Sequence, residues 1–209
     1  MNFQTWVPGL DILTGESNED RVCRFLRALN GVSLTNRVEV LKALVNRTVS
    51  PMSLREWEWQ TNCAESAIGI LAAACCTTDM ARVYHPLLMT PGVNGTSISR
   101  VFQMARDLGL ARSYKHGDPL PRRGSLVAFA AGAHVEWVLS DPDPATGIAD
   151  HGGGGRASNA LTVGRGDIRS SWGRPLTDIF DFVSTLPASP DAASGELDVA
   201  SLGIESAPT

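Results

Sequence analysis

The sequence predicts an α+β fold, with helices in the first half of the chain and an antiparallel sheet in the second. Three observations carry the prediction. Apolar residues recur at helical spacing up to about residue 108. Beyond Gly109, short β-branched and aromatic clusters alternate with Gly, Pro and Asp turns. A single run, 63–76, is almost uncharged and rich in small residues, as a helix buried on all sides would be. Helices followed by strands are the pattern of a sheet packed on a central helix.

Taken in order, Ser17 or Asn18 can cap a helix whose residues Val22, Phe25, Leu26 and Leu29 share a face and which ends at Gly31. A second helix is predicted after Thr35, with Val38, Val40, Leu41, Leu44 and Val45 forming its apolar stripe, and Pro51 interrupts it. Asn62 can cap the central helix, with Glu65 at the third helical position. A further amphipathic helix is capped within 96–99 and buries Ile98, Val101, Phe102, Ala105 and Leu108. Strands are predicted at 125–130, 133–140, 147–152, 160–164 and 178–183. The organisation is then a helical segment over 1–52, a main domain over 53–184 and an acidic, disordered tail over 185–209.

Charge placement narrows the partners. The net charge of -4 resides in Asp191, Glu196, Asp198 and Glu205 of a tail without Lys or Arg, and the remainder balances. No basic face is advertised, so nucleic acid is not an expected partner. No apolar run approaches the roughly 20 residues needed to span a bilayer. Met1 to Pro8 lacks the basic and apolar regions of a Sec signal, so synthesis in a cytoplasm without Sec export is expected. The cysteines, Cys23, Cys63, Cys75 and Cys76, form no CxxC pair, and His85, His116, His134 and His151 have no zinc-finger spacing. No metal or other cofactor is called for. The run Gly152 to Gly155 lacks the Lys-Ser/Thr of a phosphate loop and reads as a flexible loop beside a cleft.

Cys63 and His134 are the chemistry-bearing pair. With Asn62 as cap, Cys63 opens its helix, where unpaired N–H groups and the helix dipole favour a thiolate. The same N–H groups suit the oxyanion of acyl transfer. The bland alternative is one more small buried residue among alanines, as for Cys75 and Cys76. His134 begins a strand on which His134, Glu136 and Val138 share one face and Val135, Trp137 and Leu139 the other. A neutral imidazole there can serve as base and then acid. A third polar group must fix its tautomer. Asp150 and His151 are both candidates, and alternation sets them on opposite faces. His134-Val-Glu136 also fits the His-x-Glu of zinc deaminases, but no cysteine follows Cys76 to complete that site. Trp6, Trp57 and Trp59 read as packing between the N-terminal helices and the core rather than as a sugar platform.

The Asn62-Cys63 pair opening an apolar helix, the Gly-Ser-Leu-Val-Ala-Phe strand from Gly124, the Gly-Ala-His-Val strand through His134 and the later strand ending in His151 resemble the NlpC/P60 and CHAP group. These are papain-like cysteine peptidases and amidases that cut the peptide part of bacterial cell walls. The resemblance covers about 60–183 and implies a papain-like fold, a thiolate at Cys63, His134 as base and His151 as orienting residue. It departs at Asn62-Cys63-Ala64, at Gly124-Ser125 and at Ala133-His134, where the group favours Asp-Cys-Ser, Gly-Asp and Gly-His. The function it implies is amide hydrolysis in peptidoglycan stem peptides by a phage lysin or tail component, or by an effector carried by a secretion system. The alternative is a non-catalytic structural or binding module of the same fold in a phage particle or secretion complex.

Overall fold

The computed structural model describes residues 13, 15–31, 63, 67, 70, 106–107, 109–154 and 160–181. The first helix, α1, spans Asn18–Ala28. Ser17 is its cap, and the Ser17 Oγ accepts from the Asp20 amide at 3.0 Å. Glu19 and Asp20 complement the positive end of the helix dipole, and Arg27 complements the negative end. Val22, Phe25, Leu26 and Leu29 are wholly buried, as their spacing predicts. Each such side chain contributes about 1.5–3 kcal/mol by leaving water.

The helix is fastened to the sheet at both ends. At its start, Asp20 pairs with Arg123. At its end, the Gly31 amide donates to the Leu161 carbonyl at 2.8 Å, and the Asn30 Oδ1 accepts from the Val163 amide at 2.9 Å. Arg27 reaches the Leu139 carbonyl at 3.2 Å. Gly31 has φ +75°, which lets the chain leave the helix in a left-handed turn.

The strands are β1 (Ala111–Ser113), β2 (Leu126–Phe129), β3 (His134–Val138), β4 (Ile148–Gly154), β5 (Leu161–Asp167), β6 (Ser170–Ser171) and β7 (Arg174–Phe180). Their order is β1-β7-β2-β3-β4-β5, with β6 paired to β7, and every pairing is antiparallel. The described residues therefore form an α+β arrangement. Val127, Phe129, Val138, Ala149, Ile168, Leu176 and Ile179 make one buried cluster, against which Tyr114 and Leu120 pack. Leu126 lies opposite both Trp137 and Phe180 and belongs to the other side of the sheet. Cys63, Ala67 and Ile70 are helical and buried, at the four- and three-residue steps that place them on one helix face. The Trp137 indole Nε1 donates to the Ala67 carbonyl at 3.3 Å and ties that helix to β3.

Four of the predicted strands coincide with β2, β3, β4 and β5, and the differences have physical causes. The glycines 152–154 are strand, not loop: they pair through Val163, Thr162 and Leu161 of β5. A Cβ at Gly152 would lie 2.4 Å from the Thr162 carbonyl oxygen, and one at Gly153 would lie 2.8 Å from the Val135 carbonyl oxygen. Close strand approach, rather than mobility, requires glycine there. The last strand begins at Arg174 rather than 178 and ends at Phe180. Its start is set by a two-residue turn, Trp172-Gly173, with φ +53° and +73°, as in a type I′ hairpin. β1 and β6 are three and two residues long and too short to show a period.

Arg106 and Asp107 are helical, in keeping with the helix predicted over 96–108. The helix predicted after Thr35, the cap Asn62, the three N-terminal tryptophans and the tail 185–209 lie outside the described residues. No helix among the described residues is long and apolar enough to cross a membrane.

Candidate active site

His134 is the first residue of β3, set there by a 3-10 turn, Ala130–Gly132, in which Ala130, Ala131 and Gly132 have φ +47°, +53° and +93°. Two alanines in the left-handed region are a local strain that the surrounding sheet must hold. One tether is visible: the Ala131 amide donates to the Thr177 hydroxyl at 3.2 Å. The His134 ring stacks against Phe129, its cross-strand partner, with centroids 6.3 Å apart.

Cys63 and His134 meet. Their side chains are hydrogen-bonded, across 71 residues of sequence. Burial works against a charged ring at His134, but the hydrogen bonds to Cys63 and Glu136, and the negative charge of both, outweigh it and push the imidazole up to about 9. The thiol at Cys63 is only 8% exposed and is in no disulfide.

Glu136, in the sequence only a same-face neighbour of His134, joins the site in the structure. Its Oε1 accepts from the His134 Nε2 at 2.8 Å and from the Ser171 hydroxyl at 2.8 Å, and its Oε2 accepts from the His151 Nδ1. Burial alone would raise its pKa, yet the donors from His134 and His151, and their charge, hold the carboxyl at about 2. An ionised carboxylate accepts only, so the proton of each ring is on the nitrogen that faces it. Nε2 of His134 then carries hydrogen, and Nδ1 is the nitrogen left to exchange a proton with the thiol.

Of the predicted residues, Cys63, His134 and His151 thus belong to one connected network, and His151 enters it through Glu136. Asp150 does not join. Its carboxylate pairs with Arg27 and Arg165, each at 3.1 Å, on the opposite side of β4. Slight burial opposes its charge, but Arg27 and Arg165 hold it below the usual range. His116 is exposed. Arg122 and Arg123 pair with Asp181 at 3.7 Å and with Asp20 respectively. Among the described residues no group of three or more His, Cys, Asp or Glu is arranged to hold a metal ion.

Glu136 was legible as a same-face neighbour of His134, two residues along the strand. Ser171 left no signal, because only the β6–β7 hairpin brings it to Glu136. Comparison with protein-family models, with curated proteins and with solved structures gives no match for this chain.

Proposed function

We propose that the protein is a papain-like cysteine hydrolase that cleaves amide bonds in the peptide part of bacterial cell-wall peptidoglycan. The observation that carries the catalytic reading is the hydrogen bond between Cys63 and His134, with the imidazole raised toward its charged form. A thiol beside such a ring is activated at neutral pH. The peptidoglycan stem peptide as substrate, and delivery by a phage particle or secretion complex, rest on the resemblance of the Cys63 and His134 segments to the NlpC/P60 and CHAP group.

In the reaction, the Cys63 sulfur attacks the scissile carbonyl carbon and the carbonyl electrons move to oxygen. As the tetrahedral species collapses, the C–N bond breaks and His134 gives its proton to the leaving amine, which leaves an acyl-thioester on Cys63. His134 then takes a proton from water, the hydroxide adds to the thioester carbonyl, and the carboxylic acid and the Cys63 thiolate are released. Each step needs one ring nitrogen to exchange a proton with the reacting atoms and the other to be held.

The test is digestion of purified peptidoglycan and of soluble stem peptides, read by the appearance of new amino groups and by mass spectrometry of the fragments. Wild-type protein releases amines, and Cys63→Ala does not. Wild-type protein that releases none from a panel covering stem and cross-bridge amides would refute this substrate assignment.

A further inference from the structure

Glu136 differs from its surroundings in one respect. It is a carboxylate 4% exposed, inside a sheet, with both oxygens occupied by three side-chain donors from three different strands. Burial of such a group without partners is costly, so a fold keeps it only where its donors compensate. The donors are His134 of β3, His151 of β4 and Ser171 of β6. Gly153 makes room: a Cβ there would lie 3.2 Å from the Glu136 Cγ.

Resting on the Cys63–His134 reading, we propose that Glu136, on the same strand as the base, is the group that orients His134, and that His151 and Ser171 are positioning residues that act only through Glu136. The geometry supports this division. Glu136 Oε1 contacts the His134 Nε2 at 2.8 Å, which fixes the tautomer that presents Nδ1 to the thiol. A residue two positions along an extended strand projects on the same face as His134, so the pair is aligned by the backbone itself. His151 donates Nδ1–H to the second oxygen and Ser171 donates to the first, which stops the carboxylate from rotating away. Among the described residues, Asp167 of β5 also feels the charge of His151, and Asp167 is itself engaged by Arg169 at 2.8 Å.

The experiment combines ¹⁵N-imidazole NMR of His134 with the pH profile of Cys63 alkylation by iodoacetamide, in wild type, Glu136→Gln, His151→Gln, Ser171→Ala and the Glu136→Gln/His151→Gln double variant. The expected result is a His134 titration that falls by more than about one pH unit in Glu136→Gln, with alkylation near neutrality slowed roughly tenfold or more. His151→Gln and Ser171→Ala move both readouts in the same direction and by less. The double variant matches Glu136→Gln alone, as expected when one residue acts through the other. Equal or larger effects from His151→Gln, or effects that add in the double variant, would overturn the proposal in favour of a direct role for His151. If Glu136→Gln does not fold, Ser171→Ala and the wild-type spectrum decide: neutral His134 protonated at Nε2 supports the assignment, and protonation at Nδ1 overturns it. A wild-type Cys63 with an ordinary thiol profile would instead refute the Cys63–His134 reading itself, whatever the variants do.

Discussion

Strand β3 has a thiol at each end. Cys23 of α1 lies 3.8 Å from the carbonyl oxygen of Val138, the last residue of the strand, and Cys63 is hydrogen-bonded to His134, the first. Both are buried, at 4% and 8% exposure. Burial pushes the Cys23 thiol up to about 12, and the nearby Arg27 charge does not reverse it. Cys63 has an imidazole instead of a carbonyl as its partner, backed by an ionised carboxylate. Two buried thiols at the two ends of one strand thus have different partners, and burial by itself predicts neither.

The largest effect that follows is at Cys63. Cys63→Ala should abolish the proposed hydrolysis and leave the far-UV circular dichroism unchanged, since alanine suits a buried helical position. Cys23→Ala, at the other end of the strand, should leave the proposed turnover unchanged and cost about 1 kcal/mol in urea denaturation. A loss of activity in Cys23→Ala with an intact fold would erase the contrast between the two thiols.

The same contrast has a pH signature in stability. The folded-state pKa of His134 is raised from 6.5 to about 9, so its contribution is fully present below about 6.5 and is lost as pH rises through about 9. The pKa of Glu136 is lowered from 4.5 to about 2, so its contribution is present above about 4.5 and is lost as pH falls toward about 2. Urea midpoints against pH should show both limbs, and Glu136→Gln should weaken both, because it removes one group and a partner of the other. Cys23 adds little below about pH 7.5, where its thiol is neutral folded and unfolded; above that its raised folded value steepens the alkaline loss of stability.

The smaller effects lie away from β3. Ser17→Ala removes the acceptor of the Asp20 amide and should cost about 1 kcal/mol in the same assay. Asp150→Asn breaks two solvent-screened pairs and should change stability by less than about 0.5 kcal/mol, with hydrolysis unaffected. A large loss of turnover in Asp150→Asn would mean that the wrong carboxylate has been placed beside the base.

How much of this could be read beforehand depends on the range of the interactions. α1 was legible through its cap and the Val22, Phe25, Leu26, Leu29 spacing, because both signals are local. β2, β3, β4 and β5 were legible from alternation and turns, and Pro175 hid the start of β7 because proline reads as a strand breaker. Gly152 to Gly154 were misread for the same kind of reason: a glycine run looks like a loop unless the close approach of β5 and β3 is known. Cys63 and His134 stood out by residue type and position. The third member did not, because Asp150 and His151 on the next strand fit the same role, while Glu136 sits two residues from His134. Only the pairing of β3 with β4, and the β6–β7 hairpin, show that His151 and Ser171 converge on it.

The most direct test of the account is the rate of iodoacetamide labelling at Cys63 and Cys23 as a function of pH, with each site resolved by mass spectrometry. Cys63 should label fast, with the rate persisting below about pH 7 and lost in His134→Ala, beside a Cys23 that reacts only on unfolding. Labelling of Cys63 that rises only near the ordinary thiol value of about 8.5, unchanged in His134→Ala, would contradict it.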